Sequence, residues 1–418
     1  MKEKNDIERI DSVDKDSLGP DILREEFHKA VFSIQNGKAP GDDLLYIELI
    51  KYAVCDPMLE EIYELIRSMY ITGTIPTDFQ VSRTVTLPKK QNTLKCGEHR
   101  TLSLISQAAK ILLKIIQNGI RPVTEKYIGP DQYGFRQEKG TRERDAILAL
   151  RLIIDRRMDV GLDTNIAFID LEKAFDKVNW KKIMEILKET GLDYRDRKII
   201  FERYKNQETI IEIGDEKQRA SIKQGVRQGC PLSPSIFNIF IESAIQKIIE
   251  THEGGVKFNG EPIRFIGFAD DIAAIAHFTN NLETLLKMIT TTFGEYGLKL
   301  NKNKTKTLIA SKFPAVTRPI ILDNTQLQQV TNFKYLGSQI THDSRCSPDI
   351  MARIVMDKQA FNGKRHLFTA KIKTNIRKRF IKIYVWSIAL YDCETWTMTQ
   401  RDRECGAGGR WRRSVGPK

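Results

Sequence analysis

Long apolar runs, paired cysteines and nucleotide-binding glycine loops are all missing from this 418-residue sequence. The best apolar candidate, Ile383–Tyr391, is far shorter than the roughly 20 residues that a membrane-spanning helix needs. The segment Met1–Asp6 has no apolar core typical of a signal peptide. The six cysteines include no CxxC pair, which argues against a disulfide framework and indicates a reducing compartment. Neither a GxGxxG loop nor a P-loop motif occurs, so neither a dinucleotide-binding fold nor a P-loop nucleotide-binding fold is predicted.

Two Cys–His pairs could each supply two zinc ligands: Cys96 with His99, and His342 with Cys346. A structural zinc site needs four ligands, and neither pair has a second pair nearby. An ordinary structural role is therefore the favoured interpretation for all four residues.

The positive charge is unevenly distributed along the chain. The formal net charge is +13, and the segment from Asp343 to Lys418 carries 17 Lys and Arg against 7 Asp and Glu, which leaves +10. A basic segment joined to a nearly neutral body indicates a polyanionic partner, nucleic acid before membrane. A solvated basic surface is the alternative that composition leaves open.

Hydrophobic periodicity predicts an α+β chain with a helical carboxy-terminal segment. Short apolar strands alternate with helical patterns from Asn165 onward, and Phe333–Ile340 is predicted as a strand. From Pro348 to Tyr391 the pattern is helical and basic. The apolar residues within this segment are predicted to face the core, with stacking on nucleic-acid bases as the alternative, and they are Ile376, Phe380, Ile383 and Tyr384.

Two adjacent carboxylates interrupt an apolar hairpin. Asp270 and Asp271 lie between the runs Phe265–Ala269 and Ile272–Ala276. Adjacent acidic side chains repel each other, and a divalent cation with oxygen ligands relieves that repulsion. The alternative is that the two aspartates simply form a turn. A further carboxylate, Asp170, ends a predicted strand, and carboxylates at neighbouring strand ends can hold two metal ions for an in-line displacement at phosphorus.

With these residues the sequence resembles the reverse transcriptases. Phe268–Asp271 matches their motif C, and Phe168–Asp176 matches motif A. Motif B is matched by Gln224–Pro234 with Phe237 and Asn238 after it, motif D by Gly297–Thr305 and motif E by Phe333–Gly337. The upstream runs that resemble finger motifs are Lys38–Gly41, Leu87–Lys90, Arg100–Leu104 and Gln132–Arg136. The finger motifs indicate the reverse transcriptase domain of a non-LTR (LINE-like) retrotransposon endonuclease–reverse transcriptase polyprotein, and the resemblance spans residues 20–399.

The resemblance implies a right-hand polymerase of the α+β class. In such a fold an antiparallel palm sheet carries the catalytic aspartates, with fingers before it and a thumb after it. The implied divisions are a flexible lead-in over 1–20, mainly fingers over 21–164, a palm with motifs A to E over 165–345, a helical thumb over 346–395 and an atypical Arg/Gly-rich tail over 396–418.

By the same resemblance, Asp170, Asp270 and Asp271 are the catalytic carboxylates. They would bind two Mg²⁺ ions, for which Mn²⁺ is a substitute, and the Ile169 carbonyl would be a further ligand. Asp270 is the preferred direct ligand of the adjacent pair, because neighbouring side chains on an extended strand point to opposite faces.

Other matched positions have implied roles. Lys304 would protonate the leaving pyrophosphate, although Lys299 and Lys302 are close enough in sequence to compete for that role. Phe175 occupies the position of the steric gate against a ribose 2′-hydroxyl, and a core aromatic is the alternative. The remaining matches are grouped as nucleotide-binding (Lys89, Lys90, Arg100, Gln228 and Gly229), primer grip (Phe333, Tyr335, Leu336 and Gly337) and template–primer binding (Lys371, Lys373, Arg377, Lys378, Arg379 and Lys382).

The implied activity is RNA-directed DNA polymerisation, in which dNTPs are added to a DNA 3′-hydroxyl on an RNA template. The implied partners are the RNA template, a DNA primer and target, and dNTPs, with no membrane. A nuclear and cytoplasmic location is expected from where such elements insert, since the sequence has no clear localisation signal.

The sequence also departs from the family. Only about 20 residues precede the finger motifs, so an endonuclease domain before the polymerase is expected to be absent. The Arg-rich run after Thr399 no longer resembles the family and indicates truncation or a frameshift. A catalytically inactive, nucleic-acid-binding remnant of a decayed element is therefore an alternative. A group II intron-type maturase is a weaker one, because no splicing-associated domain is visible after the thumb.

Overall fold

The structure, a computed structural model, describes residues 19–52, 57–90, 93, 95–136, 143–213, 216–313 and 317–397. The chain divides into two compact units. The first unit comprises Met1–Pro130, Leu171–Ile248 and Thr290–Lys299, and the second comprises Asp131–Asp170, Ile249–Ile289 and Leu300–Lys418. Nearly all of the predicted lead-in and tail lie outside the described residues, and the division into fingers, palm and thumb stays a prediction.

Helices occur in both units, and several begin where the sequence offers a cap. Ser106 and Asn179 are N-caps whose side-chain oxygens each accept an N–H of the first helical turn. A π-helical turn, Lys382–Trp386, and two 3₁₀ turns, Cys96–Glu98 and Cys393–Thr395, interrupt or join the longer elements. In chain order the α-helices are α1 Arg24–Ser33, α2 Ile47–Tyr52, α3 Pro57–Thr72, α4 Thr77–Gln80, α5 Gln107–Tyr127, α6 Glu143–Asp159, α7 Ala174–Lys177, α8 Trp180–Glu189, α9 Tyr194–Lys205, α10 Ser233–Thr251, α11 Thr279–Glu295, α12 Ser347–Gly363, α13 Arg365–Thr369, α14 Thr374–Ile381 and α15 Ser387–Ala389.

The strands are short and lie mostly in hairpins. In chain order they are β1 Val81–Pro88, β2 His99–Leu104, β3 Thr164–Ile169, β4 Glu208–Ile213, β5 Glu216–Ser221, β6 Val256–Phe258, β7 Glu261–Ile263, β8 Phe265–Phe268, β9 Asp271–Ala276, β10 Lys306–Ala310, β11 Ile321–Leu322, β12 Thr325–Gln326, β13 Gln328–Gln329, β14 Asn332–Tyr335 and β15 Ser338–Thr341. Helices and strands of this kind confirm the predicted α+β class.

The first unit is built around a four-stranded sheet in the order β2-β1-β4-β5. Strand β1 pairs antiparallel with β2 and parallel with β4, and β4 and β5 form an antiparallel pair. Helix α5 packs against α1 and α3 in the same unit, and its apolar residues Ile111, Leu112 and Leu113 are fully buried. These packed helices give the first unit its own apolar core.

The second unit contains a five-stranded sheet in the order β13-β10-β3-β9-β8. Strand β3 lies at its centre, is buried along its whole length and pairs antiparallel with β10 and with β9. Helix α6 covers one face, where Ile147, Leu150 and Ile154 pack in one cluster with Ile166 and Phe168 of β3. Burial on both sides explains why β3 reads as a continuous apolar run in the sequence.

Two expectations about the carboxy-terminal third are wrong. Phe333–Ile340 is a hairpin of β14 and β15, not one strand, because Leu336 and Gly337 at its centre both have positive φ and reverse the chain. The apolar residues of the basic segment do not form its core side: Ile376, Ile383 and Tyr384 are exposed, and α14 has no buried residue. Periodicity shows that apolar residues share a helix face, but it does not show that the face meets a core.

No helix within the parts of the chain that the structure describes is long and apolar enough to cross a membrane.

Asp196 is a buried carboxylate of the first unit. It lies in the first turn of α9, accepts the Tyr70 hydroxyl at 3.1 Å, and is 6% exposed. Loss of hydration, and after it the nearby charge of Asp193, raises the pKa of Asp196. The ionised form is therefore disfavoured in the folded chain.

Asp196→Asn is expected to make the free energy of unfolding less sensitive to pH. Because the pKa is raised in the folded state, wild-type stability falls as the pH rises above about 4, where an unfolded aspartate ionises. Asparagine still accepts the Tyr70 hydroxyl but carries no charge. The variant should therefore gain about 1 kcal/mol or more over wild type between about pH 5 and about pH 8, measured by urea denaturation. The exposed Asp78→Asn is the control, and parallel pH profiles for wild type and Asp196→Asn would contradict the prediction.

Candidate active site

Asp170 and the adjacent pair Asp270 and Asp271 come together on neighbouring strands of the second unit. In the antiparallel pair of β3 and β9, Ile169 pairs with Ile272, so Asp170 and Asp271 occupy the next positions on facing strands. Asp270 lies in the turn between β8 and β9, directly after Ala269, which has a left-handed φ of 58°. The expectation that Asp270 and Asp271 both lie on an extended strand is wrong for Asp270, which belongs to the turn. The choice of Asp270 as the direct metal ligand stays a prediction, but alternation of side chains along a strand no longer supports it.

The carboxylates repel one another. Asp271 reaches solvent, yet the surrounding chain removes part of its hydration. This desolvation, together with the negative charges of Asp270 and Asp170, raises the pKa of Asp271 to about 6. A cation placed among these groups would reverse the effect and favour the ionised carboxylates.

Lys304 is the lysine of motif D that approaches the carboxylates. Its Nζ lies 3.8 Å from Asp170 Oδ2, and its side chain is 70% exposed. Lys302 instead pairs with Asp323 at 3.0 Å, and Lys299 of the first unit pairs with Glu172 at 3.6 Å. Of the three lysines that the sequence left open, Lys304 is thus the one paired with a predicted catalytic carboxylate.

The aspartates offer the donor set that hard divalent cations bind, namely carboxylate oxygens. Their mutual repulsion, visible in the raised pKa of Asp271, is the property that a bound cation would relieve. Within the described ranges, however, no three acidic, histidine or cysteine side chains already stand at metal-holding distances. Asp170, Asp270 and Asp271 are therefore suitable ligands by chemistry, and the Ile169 carbonyl stays a predicted further ligand.

The hairpin of motif E is bonded to the catalytic hairpin. Buried Tyr335 donates its hydroxyl to the Ile266 carbonyl at 3.1 Å and lies 3.3 Å from that of Asp271. The Phe333 ring stacks on Phe168 of β3, with 4.2 Å between ring centroids. The predicted primer-grip hairpin and the strands that carry the aspartates thus form one packed structure.

Residues of the helical segment that follows the motif E hairpin form hydrogen bonds with the turn of that hairpin. Arg353 of α12 donates to the Gly337 carbonyl at 2.6 Å, and the Tyr391 hydroxyl lies 3.3 Å from the Leu336 carbonyl. The Arg353 guanidinium stands 4.3 Å from the centroid of the Tyr391 ring. Leu336 and Gly337 therefore have a fixed backbone position.

Phe175 lies in the first unit, with motif B. Its ring is half-buried and stacks on Phe237 at 4.1 Å, and its carbonyl accepts the Val226 N–H at 2.8 Å. The ring is thus supported on one face by the core without being enclosed by it. This arrangement suits a gate better than the alternative of a buried core aromatic.

The motif B loop is bonded to strand β2. The Gln228 carbonyl accepts the Ser103 N–H at 2.8 Å. Gly229 has a φ of 103°, and a Cβ at this position would lie 2.8 Å from the Ser103 carbonyl oxygen. Only glycine permits this close approach, which keeps Gln228 beside strand β2.

The predicted phosphate-binding cations lie at the end of the same strand pair. Leu87 pairs with Arg100 across β1 and β2, and Arg100 is exposed. Lys90 forms an ion pair with Glu98 at 3.0 Å, whereas the Lys89 side chain is exposed. Arg100, Gln228 and Gly229 therefore share one part of the first unit, while the aspartates, Ile169, Lys304 and motif E belong to the second.

Sequence reasoning assigned no role to Arg227, although it lies inside motif B. Its Nη2 donates to the carbonyls of Gln80 at 2.5 Å and Glu208 at 3.0 Å, and Arg203 donates to the same Gln80 carbonyl at 3.3 Å. Burial lowers the pKa of both guanidinium groups. The signal that could have identified Arg227 is its charge, since the run Gln224–Pro234 contains no other charged residue.

The predicted template–primer residues lie on and around α14. Their side chains are exposed except that of Arg377, which is half-buried and donates to the Ala370 carbonyl at 3.0 Å. The exposed members are Lys371, Lys373, Lys378, Arg379 and Lys382. Exposed cations of this density can neutralise a phosphate backbone.

Comparison with known proteins identifies relatives over most of the chain. The family model described as Reverse transcriptase (RNA-dependent DNA polymerase) matches residues 87–340. A Retrovirus-related Pol polyprotein from type-1 retrotransposable element R2 of Nasonia vitripennis is 31% identical over 319 residues, which cover 71% of this chain and 30% of that protein. Its counterpart in Popillia japonica is 27% identical over 326 residues, which cover 76% of this chain and 44% of that protein. The chain therefore spans less than half the length of these two relatives.

Among solved structures, a telomerase from Candida albicans in complex with a fragment of telomeric RNA is similar to this chain with a TM-score of 0.47 at 12% identity. The similarity covers 80% of this chain and 61% of that chain.

Proposed function

The chain belongs to the reverse transcriptase (RNA-dependent DNA polymerase) family, and on this basis we propose that it is the RNA-directed DNA polymerase domain of a non-LTR retrotransposon. It adds dNTPs to the 3′-hydroxyl of a DNA primer on an RNA template. The observation that carries the proposal is the arrangement of the aspartates: Asp170 and Asp271 take adjacent positions on paired strands, and Asp270 occupies the turn beside them.

Family membership confirms the predicted fold class, an α+β right-hand polymerase. The antiparallel strands β3, β8 and β9 carry the predicted catalytic aspartates, as expected for a palm sheet. The motif E hairpin supports these strands through Tyr335.

Reverse transcriptases use divalent metal ions. In this chain Asp170, Asp270 and Asp271 would hold two Mg²⁺ ions, for which Mn²⁺ is a substitute, together with the Ile169 carbonyl. Bound ions supply charge neutralisation at the transferring phosphate and a lowered pKa at the attacking hydroxyl. Lys304, which is paired with Asp170, would protonate the leaving pyrophosphate.

The predicted nucleotide-binding residues belong to the first unit. Arg100, with Lys89 and Lys90, would hold the triphosphate, since guanidinium groups bind phosphate through two parallel hydrogen bonds. Gln228 and Gly229 would lie against the incoming nucleotide and the template base. The RNA template and DNA primer would contact the exposed cations around α14, so binding should weaken steeply with salt. A DNA target and a nuclear and cytoplasmic location are proposed with this function, since such elements insert into genomic DNA.

Primer extension on poly(rA)/oligo(dT) with dTTP and Mg²⁺ tests the proposal. The chain should produce extended primers that EDTA abolishes, because the reaction needs a divalent cation. Absence of product above the EDTA sample would reject the polymerase assignment. Salt-dependent binding of the template–primer without any extension would instead identify an inactive nucleic-acid-binding remnant.

Phe175→Val is expected to raise the incorporation of rNTPs relative to dNTPs by about 10-fold or more, because a smaller side chain no longer contacts the 2′-hydroxyl position. The ratio of kcat/KM for dTTP and UTP in the same primer-extension assay measures the change. Phe361→Val is the matched control, since Phe361 is also half-buried and stacks at 12° on another phenylalanine, Phe368. Unchanged sugar selectivity in Phe175→Val would remove the gate assignment.

A further inference from the structure

The segment before α6 runs alongside the catalytic hairpin in the second unit. Tyr133 N–H donates to the Gly267 carbonyl at 2.7 Å, and Gly267 N–H donates to the Asp131 carbonyl at 2.9 Å. Gln132 and Gly267 accordingly form a parallel β-bridge. The residues Asp131–Tyr133 thus pair with strand β8, whose end leads into Asp270 and Asp271. The sequence grouped part of this run with the finger motifs and assigned it no contact with the aspartates.

The Gln132 side chain lies under the turn that precedes Asp270. Its Oε1 accepts the Ala269 N–H at 2.9 Å and the Gly134 N–H at 3.0 Å, and its Nε2 lies 3.5 Å from the Ala269 carbonyl. Gln132 is 2% exposed, so water does not replace these bonds. One amide group therefore contacts both polar groups of the Ala269 residue.

Ala269 needs such support because of its backbone conformation. Its φ of 58° is in the left-handed region, which costs a residue with a Cβ roughly 1–2 kcal/mol. The residue is also buried, so an unpaired N–H here would be unfavourable. The left-handed turn determines the direction in which the chain enters Asp270 and Asp271. A contact that stabilises Ala269 in this conformation therefore also sets the positions of the two carboxylates.

We infer that Gln132 is a positioning residue of the polymerase site, which holds the Ala269 turn so that Asp270 and Asp271 are presented in the geometry that catalysis requires. The inference rests on the proposed polymerase function. Gln132 itself does not touch substrate, and its effect is exerted through the Ala269 peptide groups.

Gly134 is an independent sign that this contact is close. A Cβ at Gly134 would lie 2.5 Å from Ala269 N and 3.0 Å from Phe268 C, both backbone atoms that cannot rotate away. Gly134→Ala would therefore push the segment and the turn apart. Because Gly134 has no side chain, the segment can approach the turn closely enough for Gln132 to reach Ala269.

Three substitutions at Gln132 separate positioning from general stability. Gln132→Met keeps the volume and removes the hydrogen bonds, and Gln132→Asn keeps the amide and withdraws it from Ala269. Both are expected to lower kcat by about 10²-fold, because small displacements of reacting groups have effects of this size. The KM for dTTP should change by less than about threefold, since the nucleotide-binding residues are untouched. Gln132→Glu retains an oxygen that accepts the Ala269 N–H.

Amide hydrogen exchange of the full chain, without nucleic acid or metal, reports on the contact directly. The Ala269 amide should exchange about 10-fold faster or more in Gln132→Met and Gln132→Asn, while amides of β3 keep their protection. Gln132→Glu should restore the protection. Gln329→Met is the matched control, because Gln329 Oε1 also accepts a backbone N–H, that of Arg318, in the same unit. This control should leave both kcat and the Ala269 amide unchanged.

Two results would overturn the inference. One is a kcat for Gln132→Asn within about twofold of wild type. The other is a loss of protection that extends equally over β3 and β9, because it would indicate a general loss of stability. If wild-type chain shows no extension at all, the proposed function fails, and exchange at Ala269 then decides the positioning contact by itself.

Discussion

Asp170→Asn and Asp270→Asn are each expected to reduce primer extension by about 10³-fold or more, which corresponds to several kcal/mol of transition-state stabilisation. Both carboxylates lie at the meeting point of β3 with the hairpin of β8 and β9, where negative charge is concentrated. An amide keeps the size of the side chain but removes the charge that attracts a divalent cation. Few other groups can compensate, since phosphoryl transfer depends mainly on positioning and charge neutralisation.

Single-turnover primer extension on poly(rA)/oligo(dT) measures this loss. The control is Asp343→Asn, which removes a half-buried carboxylate in a turn that is paired with Arg345 at 3.4 Å. This variant should extend primers at the wild-type rate. Residual activity above about one tenth of wild type in Asp270→Asn would remove Asp270 from the predicted set of catalytic residues.

Thermal denaturation distinguishes lost chemistry from lost folding in the same variants. Desolvation and the charges of Asp270 and Asp170 raise the pKa of Asp271, so these two charges disfavour the ionised form of Asp271 when no cation is present. Asp270→Asn should consequently melt at a temperature no lower than wild type in metal-free buffer. Removing one charge from this cluster of carboxylates should therefore stabilise the folded chain and reduce its activity.

The catalytic strands were predictable from the sequence because each contains an apolar run with an acidic residue at one end. Thr164–Ile169 and Asp271–Ala276 agree with the predicted strands to within two residues at each end. Asp170 and Asp271 follow directly from those boundaries. Patterns of this kind involve only residues that are close together in the sequence, so the sequence alone is enough to predict them.

The supporting contacts were not predictable in this way. Gln132 and Ala269 are separated by 137 positions, and nothing in either local pattern indicates that one amide binds the other backbone. The exposed faces of Ile376 and Ile383 were misassigned for the same reason, since a helix pattern does not identify its partner. Leu336 is a further case, because a leucine with positive φ carries no turn signal.

Arg151 shows how much such a long-range contact contributes to the second unit. It lies on α6, is buried, and forms an ion pair with Asp349 of α12 at 3.1 Å. Its guanidinium also donates to the Ser338 hydroxyl at 2.8 Å and to the Thr395 carbonyl at 3.1 Å. Asp349 in turn accepts the Gln339 N–H at 3.1 Å. One arginine thus connects the helix beneath the catalytic sheet with β15, α12 and the segment that follows α15.

Arg151→Met is expected to lower the free energy of unfolding by about 3–5 kcal/mol, because the buried carboxylate of Asp349 would lose its cation. Urea denaturation followed by tryptophan fluorescence measures the change, and Trp396, whose Nε1 donates to Asp349 at 3.0 Å, reports locally. Arg318→Met is the control, since its pair with Asp163 is at 3.5 Å and only partly buried, and should cost about 0–1 kcal/mol.

The double variant Arg151→Met/Asp349→Asn determines whether the unpaired charge is the cause. Asparagine at 349 still accepts the Gln339 N–H but carries no charge, so the double variant should be more stable than Arg151→Met alone. A double variant less stable than Arg151→Met would show that the remaining hydrogen bonds, not the charge pair, dominate. Because the same contacts hold the hairpin of Tyr335, and Tyr335 bonds the catalytic strand, Arg151→Met should also lower primer extension at temperatures below its own unfolding transition.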